Sequence, residues 1–195
     1  MNRTAQADAS RSWNLIYLRI SCCMIAPKKP LYTIGHGNRP ITVLLDLLEG
    51  YSIRYLADVR SRPYSRYHPQ FNREALAASL ATRGITYVYL GDALGGRPQD
   101  PSCYIDQKIR YALVAAKDFY QQGIARLQTA YAKDIALAIL CAESKPEDCH
   151  RTRLIGETLV TRQIEVMHID EHGGLQTHAA VMQTLRKGLQ DLFGN

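Results

Sequence analysis

"IALAILCA", Ile135–Ala142, decides the fold. These residues carry no charge and form the most apolar of the strand-like runs in the chain. A run this short, ending in polar loop, is the signature of a strand buried in a parallel sheet rather than of a core helix. Before it lies a helical region from about Tyr104 to Lys133, expected to break near Gly123. After it, "CHRTRLIGETLV" (149–160) has helical spacing and "QIEVMHI" (163–169) is strand-like.

The same alternation extends upstream. "LYTIG" (31–35), "IRYLADV" (53–59) and "ITYVYL" (85–90) are strand-like runs. Between them, "ITVLLDLLEG" (41–50) and "NREALAASLATRG" (72–84) show helical spacing, closed by Gly50 and Gly84, with Asn72 placed as an N-cap. "LQTHAAVMQTLRKGLQDLF" (175–193) is read as a terminal helix. Strand alternating with helix predicts an α/β fold, a mostly parallel sheet of about five strands with helices on both faces. The expected organisation is a single domain over 30–195, preceded by a disordered or peripheral extension over 1–29. Within that extension, Trp13–Ala26 is too short to span a bilayer and Arg19 interrupts it. Met24 stands just ahead of the first strand, so the upstream residues read as a misplaced start.

Composition narrows the function. With 46% hydrophobic and 22% charged residues, the 195-residue chain falls in the soluble globular class. The net charge of +6 favours an anionic partner, a nucleotide or nucleic acid; with no stretch long enough to span a bilayer, no membrane partner is expected. Five cysteines, an odd number, argue against a disulfide framework and for reduced thiols in the cytoplasm.

In open parallel sheets ligands bind beyond the carboxyl ends of the strands. Polar residues cluster at those ends: His36; Asp58 and Arg60; "GDALGGRP" (91–98); Cys141 and Glu143; His168 and Asp170. "DVRSRPYSRYHPQFNR" (58–73) sets Arg60, Arg62, Arg66 and Arg73 against a single acid, Asp58. Pro63 and Pro69 keep it from being a helix. Its guanidinium groups suit an anion, and Tyr64, Tyr67 and Phe71 suit stacking on bases. Asp58 serves as a base or, beside the arginines, as an orienter of Arg60. "LGGRP" places Arg97 beside flexible backbone and lacks the lysine of a P-loop.

"ILCAESKPEDCHRTR" (139–153) admits several readings. Cys141 and Cys149 stand eight apart with no CxxC, which argues against zinc and against a thioredoxin-like dithiol, so no metal is expected. A disulfide across the loop remains open. Asp148 as a helix cap would put Cys149 and His150 in a first turn beside Arg151, favouring either a thiolate or a bound phosphate. A buried Cys141 with an ordinary capping turn is the bland alternative.

Four motifs in order, "YTIGHG", "LADVRSRPYSRYHPQFN", "YLGDALGGRP" and "LAILCAESKPEDCHR", resemble the family known as domain-of-unknown-function family 488. The resemblance runs from about Leu31 to Arg153. It carries over His36, Asp58, Arg60, Pro63, Ser65, Phe71, Gly95, Gly96, Cys141, Glu143, Cys149, His150 and Arg151; Gly37 stands where the family commonly has serine. It implies an α/β domain and no settled activity.

The leading expectation is an enzyme acting on a phosphate-bearing substrate. Arg60, Ser65, Arg66, Arg97 and Arg151 would bind it; Cys149 or Cys141 would be the nucleophile; His36 or His150 would be the acid/base, with Asp58 and Glu143 in the catalytic set. The sequence assigns no cofactor and no oligomeric state. The alternatives are a nucleic-acid-binding module without chemistry and, ranked lowest, rhodanese-like sulfur transfer at Cys141.

Overall fold

The computed structural model describes residues 28–193, with side chains through Lys187. All but the last two residues of the expected extension lie outside the described residues, as do Cys22 and Cys23. The strands of the main sheet are β1 (Leu31–Gly35), β2 (Tyr55–Asp58), β3 (Thr86–Tyr89), β6 (Leu137–Cys141), β7 (Val166–Ile169) and β8 (Leu175–Thr177), in the order β3-β2-β6-β1-β7-β8. All pairs are parallel except β7 with β8. A small antiparallel ribbon pairs β4 (Tyr104–Ile105) with β5 (Lys108–Ile109).

Strand β6 shows why the sheet is covered twice. Leu137, Ile139 and Cys141 enter one core, and Ala138 and Leu140 the other. A strand with both faces buried has no polar side to offer, hence the uninterrupted apolar run. One core packs under α1 (Ile41–Gly50) and α2 (Arg73–Ala81), through Leu44, Leu48, Leu76 and Leu80. The other packs under α3 (Gly91–Leu94), α4 (Tyr111–Ala115), α5 (Asp118–Ala132) and α6 (Glu157–Thr161), through Leu94, Val114, Ile124, Leu127 and Leu159. Helix α7 (His178–Phe193) closes the β7–β8 end.

The connections follow one hand. Those stepping toward β3 run through α1 and α2 on one face; those stepping back, through α5 and α6, use the other. Strands β1 and β6 are neighbours whose outgoing connections leave in opposite directions. That is the topological switch point, where a crevice opens at the strand ends.

The structure corrects several sequence expectations. The sheet has six strands, not five, because Leu175–Thr177 is an antiparallel strand and the terminal helix begins only at His178. Three residues are too few to display a period. The region read as one helix from Tyr104 opens with the β4–β5 ribbon, where Asp106 and Gln107 take positive φ. Its helical break falls between Ala115 and Asp118. Gly123 sits inside α5, where an added Cβ would lie 2.7 Å from Leu94. The glycine serves close packing of α5 on α3. No helix among the described residues is long and apolar enough to cross a membrane.

A buried polar chain ties α7 to the sheet. Thr33 Oγ1 lies 2.7 Å from His168 Nδ1, His168 Nε2 3.0 Å from His178 Nδ1, and His178 Nε2 2.9 Å from Glu157 Oε1. Because the carboxylate must accept, each ring passes its proton outward, and the hydroxyl of Thr33 donates to His168. His168 is fully buried, and burial, with the charges of His178 and Arg151, lowers its pKa from 6.5 to about 3. The unfolded chain therefore binds a proton first as pH falls, so stability is present above 6.5 and drains away toward 3. We expect a loss of roughly 4 kcal/mol across that window at 1.36 kcal/mol per unit. Urea unfolding at a series of pH values should show it, and His168→Gln should flatten the acid limb; an unchanged slope in the variant would refute the assignment.

Candidate functional site

At the switch point Gly35 pairs with Cys141, and the sheet extends one step further: His36 N–H donates to Cys141 O (3.0 Å) and Gly37 N–H to Ala142 O (2.9 Å). The side chain of Cys141 follows Leu137 and Ile139 to the α5–α6 face. The chain then loops outward and returns at a π-helical turn, Arg151–Gly156, that leads into α6. Single π turns are frequent at functional sites.

Arg151 sets the shape of that loop. Its side chain is fully buried and donates from Nη1 to Glu143 O (2.5 Å) and from Nη2 to Ser144 O (3.1 Å). Room for this comes from Gly35, where a Cβ would stand 1.8 Å from Glu143 O and 2.9 Å from the Arg151 guanidinium. Asp148 does not cap the turn: its N-cap is His150, without a side-chain bond, and Arg151 N–H points to Cys149 Sγ at 3.4 Å.

The clamp brings four donors together. Ligand atoms of Cys141, Glu143, Cys149 and His150 all lie within 4.8 Å of one another. His150 Nδ1 is 3.5 Å from Cys141 Sγ and 3.7 Å from Cys149 Sγ. Glu143 Oε2 is 2.7 Å and 3.1 Å from the same sulfurs. Tetrahedral zinc, at about 2.3 Å from sulfur and 2.0 Å from nitrogen, sets those donors about 3.6 Å apart. The two sulfur–nitrogen distances match. The sulfur–carboxylate distances are too short for two ligands, so in this arrangement Glu143 accepts hydrogen bonds from the thiols. Cys141 and Cys149 are only 3% and 1% exposed, whereas Glu143 faces solvent.

The two thiols are pushed in opposite directions. The hydrogen bond with Cys149 pushes Cys141 up, aided by burial and by the charge of Glu143. Burial pushes Cys149 up as well, but hydrogen bonds from Cys141 and His150 and the Arg151 charge outweigh it, leaving it at about 6. Both thiols, and Cys103, are unpaired by disulfide. His150 Nε2 and Arg151 Nε have no hydrogen-bond partner among the described residues.

A second buried group adjoins the first. Asp58 is fully buried and receives Arg60 N–H (3.0 Å), Arg60 Nε (2.9 Å), Arg60 Nη2 (2.6 Å) and the Tyr87 hydroxyl (2.8 Å). Arg60 Nη2 also donates to Phe71 O at 2.8 Å, and its Nη1 lies 3.3 Å from His36 Nε2. His36 Nδ1 donates to Gly37 O (2.9 Å), so Nε2 is the lone-pair side facing Arg60. Burial, with the Arg60 charge, lowers His36 to about 4, and its ring stacks on Phe71 at 4.3 Å. Asp58, Arg60 and His36 thus satisfy one another, and Arg60, like Arg151, spends its guanidinium inside the protein.

The remaining expected residues lie on the neighbouring loops. Gly96 lies against His150, where a Cβ would be 2.8 Å from the ring, and Arg97 N–H donates to Ser61 Oγ (2.9 Å). Ser65 Oγ accepts the amides of Tyr67 and His68 at 3.2 Å, and Asn72 Oδ1 accepts Ser65 N–H at 2.6 Å. Asn72 therefore braces this loop rather than capping α2 with its side chain. Arg66 and Arg97 are exposed. Tyr111, at the head of α4, was not singled out by the sequence: burial raises its pKa, and the charges of Cys149, Glu143 and Cys141 act on it too. Nothing in "KIRYALVA" distinguishes it from a core tyrosine.

Residues 40–157 match the family described as Domain of unknown function DUF488. The chain belongs to that family. No curated protein and no solved structure matches it. In this DUF488 domain the match spans α1 through the π turn, so the second, third and fourth motifs lie inside it and "YTIGHG" just outside.

Gly35→Ala tests the close approach on which the site is built. The methyl group must displace the Glu143 carbonyl, at a cost of about 3 kcal/mol by the measure of an overpacked core. Chemical denaturation should show that loss together with increased labelling of Cys141 and Cys149 by iodoacetamide. Wild-type stability and labelling in the variant would contradict the geometry.

Proposed function

We propose that this DUF488 chain is a metal-dependent enzyme that turns water on a phosphate-bearing substrate. Cys141, Cys149 and His150 hold a zinc ion, and Glu143 is the acid/base that handles the proton of the attacking water. The observation that carries the reading is the pair of sulfur–nitrogen distances, 3.5 and 3.7 Å, in a buried Cys/Cys/His set. This reverses the expectation from spacing, which looked for CxxC and a fourth ligand in sequence.

Burial favours a metal over a thiol nucleophile. A substrate phosphorus or carbon must reach the sulfur it reacts with, and thiols 1–3% exposed offer no approach. An ion needs only a narrow entrance, and Glu143 is the exposed member of the set. Two cysteines and a histidine with a fourth position open form a known catalytic zinc arrangement, and in such sites a carboxylate outside the ligand set can move protons. Here water would give a proton to Glu143, and its oxygen would attack the substrate's electrophilic centre. The leaving group would take that proton from Glu143 as its bond breaks, restoring the carboxylate. A persulfide on Cys141 would instead place a second anion against Glu143, which disfavours sulfur transfer.

Elemental analysis of protein purified without chelator should find one zinc per chain, lost in Cys149→Ser and in His150→Ala. Glu143→Gln should retain the metal while slowing turnover by about 10²-fold or more. Loss of metal in Glu143→Gln would make the site a closed structural one and favour a binding module without catalysis. Wild-type protein that takes up no zinc, even when it is supplied, would overturn the reading.

A further inference from the structure

We infer that the loop Arg60–Asn72, with Arg97 beside it, is a platform for single-stranded nucleic acid, the bases stacking on Tyr64 and Tyr67. This deepens the proposed function by naming the substrate class, and it rests on that reading only for the chemistry that follows binding.

Tyr64 and Tyr67 are 73% and 74% exposed, the largest exposures among the big apolar side chains of the described residues. A tyrosine left in water gains nothing from burial. A mobile loop would let such rings fold down, but this one is braced from within: Ser65 Oγ holds two amides, Asn72 holds Ser65 N–H, and Arg73 N–H donates to Pro63 O at 3.0 Å. The bracing presents the rings outward. The Arg66 guanidinium lies 4.7 Å over the Tyr67 ring, with Nη2 2.6 Å from its hydroxyl, so charge and π-face are offered together.

Charge selects the partner. From Val59 to Asn72 the chain has no Asp or Glu, and Asp58 is buried and fully engaged by Arg60 and Tyr87. Arg62, Arg66 and Arg97 are exposed and take part in no ion pair among the described residues. A surface of unpaired arginines interleaved with exposed rings complements an anionic backbone carrying flat bases. Double-stranded nucleic acid hides those faces, so a single strand is the better fit.

The platform reaches the metal cluster by contact. Ser61, at its start, accepts Arg97 N–H, and Gly96, one residue earlier, lies against the His150 ring. A strand seated on Tyr64 and Tyr67 and passing Arg97 would run beside Gly96, which lies against the His150 ring.

The test is fluorescence anisotropy with labelled poly-dT and poly-rU oligomers, a duplex of equal length, and polyglutamate, using the full chain as purified. Binding should prefer the single strands and fall as salt rises. Tyr64→Ala and Tyr67→Ala should each weaken it about tenfold. Arg62→Ala and Arg66→Ala should each flatten the log–log salt slope by about 0.7. Equal binding of duplex or polyglutamate, indifference to the tyrosines, or no binding at low salt would overturn the inference. Zinc content of the same preparation separates this from the proposed chemistry: a strand binder without zinc keeps the platform and loses the metal centre, and a zinc protein without strand binding does the reverse.

Discussion

A single buried guanidinium organises this site. Arg151 has no exposed surface and donates to two backbone carbonyls, those of Glu143 and Ser144, and no carboxylate among the described residues reaches it. A buried charge without compensation is costly. The compensation here is collective: two carbonyl dipoles and the neighbouring Cys149, which the Arg151 charge acts on. The same contacts that hold the charge also fold the loop back on the strand end. Lysine could not serve, since it lacks the planar fork that spans two adjacent carbonyls.

Topology decides where this happens. Strands β1 and β6 send their chains in opposite directions, and the absence of a side chain at Gly35 lets the Glu143 loop lie against the strand end. The neighbouring Asp58–Arg60–His36 group closes the other wall. It is internally satisfied and uncharged in sum if His36 stays neutral, as its lowered pKa requires near neutral pH. The two groups differ in kind. The Asp58 group is a buried support, whereas the Cys/Glu/Cys/His group keeps an exposed carboxylate.

Much of the fold was legible because burial on both faces leaves a mark. Leu137–Cys141 could be nothing but an inner strand, and α1 and α5 carry their cores at helical spacing. Leu175–Thr177 left no mark: an edge strand of three residues, two of them exposed, looks like the helix that follows it. The gathering of His36, Arg60, Gly96 and the cysteine loop at one rim was readable from their positions at strand ends. Their chemistry was not. Spacing says how far apart ligands are along a chain, not how a loop returns, and the return of Cys149 to Cys141 depends on Arg151 reaching two carbonyls. Nor could the sequence show that Arg60 and Arg151 face inward while Arg62, Arg66 and Arg97 face water; that distinction comes from which partners each guanidinium meets.

The claim on which the account rests is that the thiols and imidazole of Cys141, Cys149 and His150 form a pre-shaped cation site. Cobalt(II) added to the reduced, metal-free protein tests it most directly, since its spectrum reports donors and geometry at once. The account predicts an intense thiolate-to-cobalt charge-transfer band in the near ultraviolet and strong visible absorption typical of tetrahedral coordination, saturating at one ion per chain. Weak, octahedral-type absorption without a charge-transfer band would contradict it, because a tetrahedral site with two sulfur ligands gives both features.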